Sequence, residues 1–285
     1  MTKTHKGILL AILAAVLYAV NSPFSKILLD YMPSTLMAGF LYLGAGLGMG
    51  IVALMRKNNN TSMEEKITKS DMPYVIAMII LDIAAPIFLL LGLSHTTAAN
   101  ASLLNNFEIV ATTAIAYTIF REKIGKRLLT GIILITLSCF ILSFENISSL
   151  DFSVGSLYIL LACVCWGVEN NCTRSLSSKD PLKIVLLKGI FSGGSSVVIG
   201  FLVGEVITAW WSIPAVLVLG FVAYGLSIFF YVYAQRFLGA ARTSAYYAIA
   251  PFVGVVLSLL IFKEIPHLSF FAALLFMISG AWLCA

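Results

Sequence analysis

Four ionisable residues lie inside long apolar stretches of this sequence and are its strongest candidates for chemistry. Asp82 and Glu108 fall near the middle of two stretches, Glu169 lies toward the end of a third, and Lys188 lies near the start of a fourth. Placing a charge in apolar surroundings costs several kcal/mol, so such residues commonly mark a substrate, ion or proton site. The competing interpretation is a buried structural pair for each acid, and a snorkelling ammonium for Lys188.

Polar and aromatic residues recur at helical spacing beside these charges. Trp166, Glu169 and Asn170 share one helix face, and Tyr18 and Asn21 share another. The remaining candidates on other stretches are Asn105, Tyr224, Tyr246 and Tyr247. Aromatic faces combined with carboxylates hold ammonium groups through charge and cation–π attraction. Hydrogen bonding between helices, without any substrate, is the alternative explanation.

The amino-acid composition indicates the class of protein in which these residues lie. Of the 285 residues, 60% are hydrophobic and 11% are charged, and the mean hydropathy is +0.99. A soluble domain carries about 25% charged residues, so the composition excludes a soluble enzyme, a disordered chain and a coiled coil. It predicts a polytopic membrane protein.

Ten apolar runs separated by short polar connections predict an all-α integral membrane fold with ten transmembrane helices. The length of each run is close to the roughly 20 residues that a helix needs to cross a bilayer. The predicted spans are 7–29, 35–55, 73–93, 97–120, 128–144, 154–174, 182–205, 213–235, 240–262 and 268–285.

The basic residues predict the orientation. With both termini in the cytoplasm, most of the 18 Lys and Arg residues fall in cytoplasmic segments, and the outer connection 145–153 contains none. Cytoplasmic connections are enriched in Lys and Arg. We therefore expect a multi-pass protein of the cell membrane with cytoplasmic N- and C-termini.

The sequence also contains a weak internal repeat. Residues 17–26 align without a gap with residues 165–174, the same offset places Pro33 on Pro181, and residues 120–124 align with 262–266. These matches predict two five-helix repeats, residues 1–147 and 148–285. Because five is odd, the second repeat is inverted in the membrane, as in many secondary transporters.

The aligned residues resemble the ten-helix EamA-like branch of the drug/metabolite transporter superfamily. That family carries Trp-Gly followed by a basic residue in the first helix of each repeat, matched here by Trp166-Gly167 and Arg174. Further matches to its pattern are Lys26, Pro181 with Lys188, Pro251 with Glu264, and Glu122. The resemblance implies ten helices, secondary transport and a central cavity.

The first repeat departs from the family pattern. Tyr18-Ala19 replaces Trp-Gly, Phe40 stands at a basic position, and Ile109 replaces a proline. These departures predict that the first half of the cavity is specialised.

We therefore expect a secondary transporter of a small polar metabolite, favouring an amine-bearing cation or an amino-acid-like zwitterion. Glu108 and Glu169 would bind the amine or a coupling proton; aromatic residues and asparagines would complete the cavity. No cofactor, metal or nucleic-acid role is expected, and two fused repeats allow a monomer. The alternative is a membrane enzyme acting on a lipid or isoprenoid, for which the loop acids are the only candidates: Glu64, Glu65, Glu145 and Asp151.

Overall fold

The apolar stretches form helices, because a backbone in hydrocarbon must satisfy its hydrogen bonds within its own segment. The computed structural model describes residues 3–56, 67–119, 121, 125–146, 151–176, 179–238, 243, 246–263 and 266–284. Its helices are α1 (Lys3–Ala19), α2 (Asn21–Leu28), α3 (Ser34–Arg56), α4 (Met72–Ser94), α5 (Ala98–Leu104), α6 (Phe107–Thr118), α7 (Lys126–Leu142), α8 (Val154–Ser175), α9 (Pro181–Leu187), α10 (Gly193–Leu202), α11 (Ser212–Gly220), α12 (Ser227–Leu238), α13 (Ala250–Phe262) and α14 (Leu268–Cys284).

These elements confirm the predicted ten-helix, all-α membrane fold. Five of the ten predicted runs contain a single α-helix each, namely α3, α4, α7, α8 and α14. Runs one, four, seven and eight contain two helical pieces each, and α13 forms the described end of run nine. Within the described residues, the helical segments of at least 18 residues that are apolar enough to cross a membrane are Thr4–Leu28, Ser34–Met55, Lys69–Ser94, Pro181–Leu202 and Ser212–Ala234, and Ala250–Phe262 and Leu268–Cys284 are shorter apolar helices.

Four of the runs are interrupted in ways that matter for the site. α1 ends before Val20, because Pro23 has no N–H for the carbonyl of Ala19. A turn at Asn105 and Asn106 separates α5 from α6. Five- and six-residue π-helical segments, Lys188–Ser192 and Phe221–Leu226, join α9 to α10 and α11 to α12. Two further prolines of the apolar runs lie inside the continuous α4 (Pro86) and in the first turn of α13 (Pro251).

Helices from the two predicted halves pack extensively against each other. α4 packs along α8 and α1 along α12, while α3 packs on α10 and α7 on α14. One large cluster of buried apolar side chains runs through most of these helices. The central helices therefore draw their neighbours from the opposite half of the chain.

Glycines allow the closest of these approaches. A methyl group on Gly46 would lie 2.9 Å from the carbonyl carbon of Gly189, and one on Gly193 would lie 2.9 Å from the carbonyl oxygen of Gly39. These glycines of predicted spans two and seven thus serve helix contact, as small residues do in membrane bundles. Gly44 and Gly48 of α3 lie against another span, where their neighbours are Leu217 of α11 and Phe221 directly after it.

Gly189→Ala is expected to lower the melting temperature by several degrees. The added methyl group would collide with the backbone of Gly46, and overpacking costs about 1–3 kcal/mol. The matched control is Gly194→Ala, because a methyl group there meets no described atom within 4 Å beyond its chain neighbours and its own helix backbone. Equal melting temperatures for the two variants in detergent would show that α3 is not tightly packed against the span that contains Gly189.

The end of the bundle that carries the α2–α3 and α10–α11 connections is closed by contacts between the two halves. Both carboxylate oxygens of Glu205 accept backbone N–H groups at the start of α3, from Thr35 at 3.1 Å and Leu36 at 2.8 Å. The hydroxyl of Thr208 donates to the carbonyl of Tyr31, and the Tyr31 ring lies 4.7 Å from that of Trp211.

One connection of this helical fold contains a short antiparallel pairing. β1 (Phe144–Asn146) pairs with β2 (Asp151–Phe152) in the connection between α7 and α8. The residues between the strands, where the predicted boundary of the two repeats falls, lie outside the described residues, as do Glu64, Glu65, Glu122 and Glu264.

Candidate functional site

A cavity inside the bundle gathers most of the predicted chemistry. Its empty volume, including the opening to solvent, is about 660 Å³. The lining residues are Tyr18, Tyr42, Asp82, Glu108, Trp166, Glu169, Asn170, Thr173, Lys188, Tyr224, Ile228, Tyr231, Val232 and Tyr247. All four ionisable residues of the apolar stretches are therefore brought together.

Lys188 lies between two of the acids. Its Nζ is 2.5 Å from Oε1 of Glu169 and 3.2 Å from Oδ2 of Asp82. The ammonium donates a hydrogen bond to Glu169, whereas Asp82 Oδ2 accepts no aligned hydrogen bond from the described residues. With its side chain only 5% exposed, Lys188 does not snorkel and belongs to the cavity.

Two hydroxyl groups complete the surroundings of this ion pair. Tyr42 donates from its hydroxyl to Oδ1 of Asp82 at 2.8 Å. Thr173 donates a short hydrogen bond to Oε1 of Glu169 from the same helix. Burying an ion pair is favourable only when further hydrogen bonds satisfy its polar atoms, and these hydroxyls supply them for both acids.

Glu108 has different surroundings from the other two acids. Its Oε1 accepts a hydrogen bond from Nδ2 of Asn170 at 2.5 Å, and Asn170 also reaches Thr112 Oγ1 at 3.4 Å. In the described part of the chain, no basic side chain forms an ion pair with Glu108. Three carboxylates opposed by one ammonium leave two negative charges in the cavity when all are ionised.

Tyrosine rings form a continuous part of the cavity wall. The ring of Tyr18 lies 6.0 Å from that of Tyr224 and 5.8 Å from that of Tyr247, and Tyr247 lies 4.9 Å from Tyr231. The ring of Tyr42 lies 5.0 Å from Tyr224. Such packed rings offer aromatic faces next to the carboxylates, the combination that attracts organic cations.

Irregular helix segments place several of these side chains. Lys188 begins one π-helical segment and Tyr224 lies in the other. Glu108 lies in the first turn of α6, directly after the turn at Asn105 and Asn106. π-Helical turns occur frequently at functional sites, and here both carry a cavity residue.

Comparison with known proteins identifies the family of this bundle. The sequence profile of the EamA-like transporter family matches residues 5–144 and 153–285. The chain belongs to the EamA-like transporter family.

Similar proteins agree with this assignment. A protein of Methanothermobacter thermautotrophicus named as an uncharacterized transporter is 25% identical over 279 residues, covering 90% of this chain and 80% of that protein. The uncharacterized transporter YvbV of Bacillus subtilis is 25% identical over 287 residues, covering 98% and 91%. A crystal structure with 15% sequence identity has the same fold, with a TM-score of 0.71 over 97% of this chain and 94% of that chain.

This EamA-like protein is thus a multi-pass membrane protein of a transporter family, as the resemblance implied. Nine of the twelve predicted site residues line its cavity: Tyr18, Asp82, Glu108, Trp166, Glu169, Asn170, Lys188, Tyr224 and Tyr247. Their part in substrate binding stays a prediction.

The other three predicted residues lie outside the lining. Asn21 is buried behind Tyr224 and donates to its hydroxyl at 3.2 Å. Asn105 is buried near Cys163, and Tyr246 is 37% exposed. Asn21 therefore positions a wall residue in this EamA-like protein, while its neighbour Ser25 donates to Asn21 Oδ1.

Three lining residues are absent from the sequence-based expectation. Tyr42, Ile228 and Val232 carry no polar or charged pattern that distinguishes them from ordinary apolar packing. Two further lining residues, Thr173 and Tyr231, lie seven residues after Trp166 and Tyr224, so helical spacing alone indicates them.

Proposed function

We propose that this protein is a secondary active transporter that moves a small polar metabolite across the cytoplasmic membrane by alternating access. The favoured substrate is an amine-bearing cation or an amino-acid-like zwitterion. The observation that carries the proposal is Glu108, a carboxylate at the cavity that accepts a hydrogen bond from an amide and forms no described ion pair. A substrate ammonium or a coupling proton would supply the missing positive charge, and the surrounding rings would stabilise an organic cation.

The packing of the helices supports an inverted repeat. Exchanging the first five spans with the last five places α4 on the α11–α12 span and α8 on the α1–α2 span. The α4–α8 contact then becomes the α12–α1 contact, and both are present. The family profile matches the chain in two segments with the same division. Two such halves could exchange conformations and open the cavity to either side.

Alternating access is also supported by the closed end of the bundle. Glu205 and Thr208 belong to the second half and bind backbone groups of the first half. These contacts must break for the cavity to open at this end. With the termini in the cytoplasm, this end would face outward.

Removing the Glu205 contact is expected to favour opening at this end. Leu36 is fully buried, so a cysteine at position 36 of a variant without other cysteines should react slowly with a membrane-impermeant maleimide. Glu205→Ala should increase that rate several-fold, because two N–H groups of α3 lose their acceptor. Glu205→Gln retains one acceptor oxygen and should have an intermediate effect; an unchanged rate in both variants would remove Glu205 from the closure.

A binding screen tests the proposed substrate class. Purified protein would be heated with primary and quaternary amines, amino acids, organic anions or sugars, and uptake into proteoliposomes would follow for any ligand that raises the melting temperature. A ligand that binds only the folded state raises its stability by mass action. We expect amines to raise the melting temperature; stabilisation and uptake of anions or sugars alone would contradict the proposal.

The enzyme alternative would require turnover of a lipid or isoprenoid, and family membership favours transport.

A further inference from the structure

The buried ammonium of Lys188 bears on which amines the cavity accepts. We infer that Lys188 is a specificity-determining residue: its ammonium fills one of two amine positions formed by the cavity acids, so that the transporter accepts a monoamine and rejects diamines and zwitterions. This inference rests on the proposed amine transport and narrows its substrate class.

The two positions differ in whether the protein already supplies a cation. The paired position lies between Asp82 and Glu169, whose side chains are 1% and 4% exposed, and Lys188 occupies it. The open position lies at Glu108, which accepts a hydrogen bond from Asn170. Both positions belong to one cavity, because the side chains that form them all line it.

A diamine would have to place its second ammonium near the paired position. There it would meet the like charge of Lys188, and this repulsion is strong in a site with little water. In addition, Glu169 already receives hydrogen bonds from Lys188 and Thr173. A monoamine places only one charge, at Glu108, and avoids this repulsion.

A zwitterion would face a related obstacle. Its carboxylate would seek the only cationic group that the described lining contains, the ammonium of Lys188. That ammonium lies 2.5 Å from Glu169 and 3.2 Å from Asp82, so the substrate carboxylate would approach two carboxylates. Of the two substrate types proposed above, the geometry therefore points to the amine without a carboxylate.

Competition in wild-type proteoliposomes tests the inference directly. Uptake of radiolabelled phenethylamine would be measured against unlabelled phenethylamine, 1,4-diaminobutane and phenylalanine. We expect the diamine and the amino acid to compete at least about tenfold more weakly than phenethylamine, a difference of about 1.4 kcal/mol. Equal competition by 1,4-diaminobutane would overturn the rejection of diamines, and equal competition by phenylalanine would overturn the rejection of zwitterions. Amine transport would stand in both cases. Absence of any phenethylamine binding or uptake would instead count against the proposed function.

Removal of the built-in cation provides the second test. In Lys188→Ala, 1,4-diaminobutane should raise the melting temperature more than it does in wild type, because its second ammonium no longer meets the charge of Lys188 at the paired position. The matched control is Lys26→Ala, which removes an ammonium bound to the carbonyls of Leu93 and Thr96, away from the cavity. The same diamine effect in Lys26→Ala, or none in a folded Lys188→Ala, would refute the role of Lys188. Should Lys188→Ala not fold, Lys188→Gln and the wild-type competition decide the question.

Discussion

Glu108→Gln is expected to abolish stabilisation by amines and to lower amine uptake by at least about 100-fold, equivalent to roughly 2.7 kcal/mol. Glutamine has nearly the same shape, and its carbonyl can still accept the hydrogen bond from Asn170 that the carboxylate accepts at 2.5 Å. The variant therefore removes the charge while retaining the wall of the cavity. An ammonium then loses its counter-ion, which costs a few kcal/mol when the pair is buried.

Folding and binding are separable in this experiment. The melting temperature of Glu108→Gln without ligand should be close to that of wild type or higher, since no buried cation loses its partner. Asp30→Asn is the matched control, because it removes an exposed carboxylate outside the cavity lining and should leave uptake unchanged. Amine uptake that survives in Glu108→Gln would move the binding role to another residue, with Glu169 and Asp82 the remaining acids.

The sequence predicts the bundle well because membrane solvation leaves few choices. Ten apolar runs and the short connections between them are enough to predict ten helices, since each run must satisfy its own backbone. The four intramembrane charges are equally visible, and the structure brings all four to one cavity. Glycines also recur in predicted spans two and seven, and the structure brings Gly46 of one against Gly189 of the other.

What the sequence does not predict depends on local rotation of the helices. A π-helical turn inserts one residue into the helical repeat and changes the direction of the side chains around it, so the orientations of Lys188 and Tyr224 do not follow from regular spacing. Tyr246 and Tyr247 are adjacent in sequence, yet only Tyr247 lines the cavity. The place of Tyr42 in the cavity is equally hard to predict from the sequence. No polar neighbour in α3 distinguishes this residue, and its role depends on a contact with Asp82, 40 residues away in the sequence.

Lys188→Met is expected to reduce the free energy of unfolding by about 3–5 kcal/mol, the usual cost of removing one partner from a buried ion pair. Asp82 and Glu169 would then remain buried without a cation, and Glu169 would lose a hydrogen-bond donor 2.5 Å away. The measurement is denaturant or thermal unfolding in detergent. Lys69→Met, which changes an exposed lysine, should have little effect.

The compensating change distinguishes charge from packing. Adding Asp82→Asn to Lys188→Met removes one of the two uncompensated carboxylates, and the amide oxygen introduced there can still accept the hydrogen bond that Tyr42 donates to Asp82 at 2.8 Å. The double variant should therefore be more stable than Lys188→Met alone, a non-additive result typical of residues in direct contact. If the two substitutions destabilise the protein additively, Lys188 contributes through the volume of its side chain, and the ion pair with Asp82 contributes little.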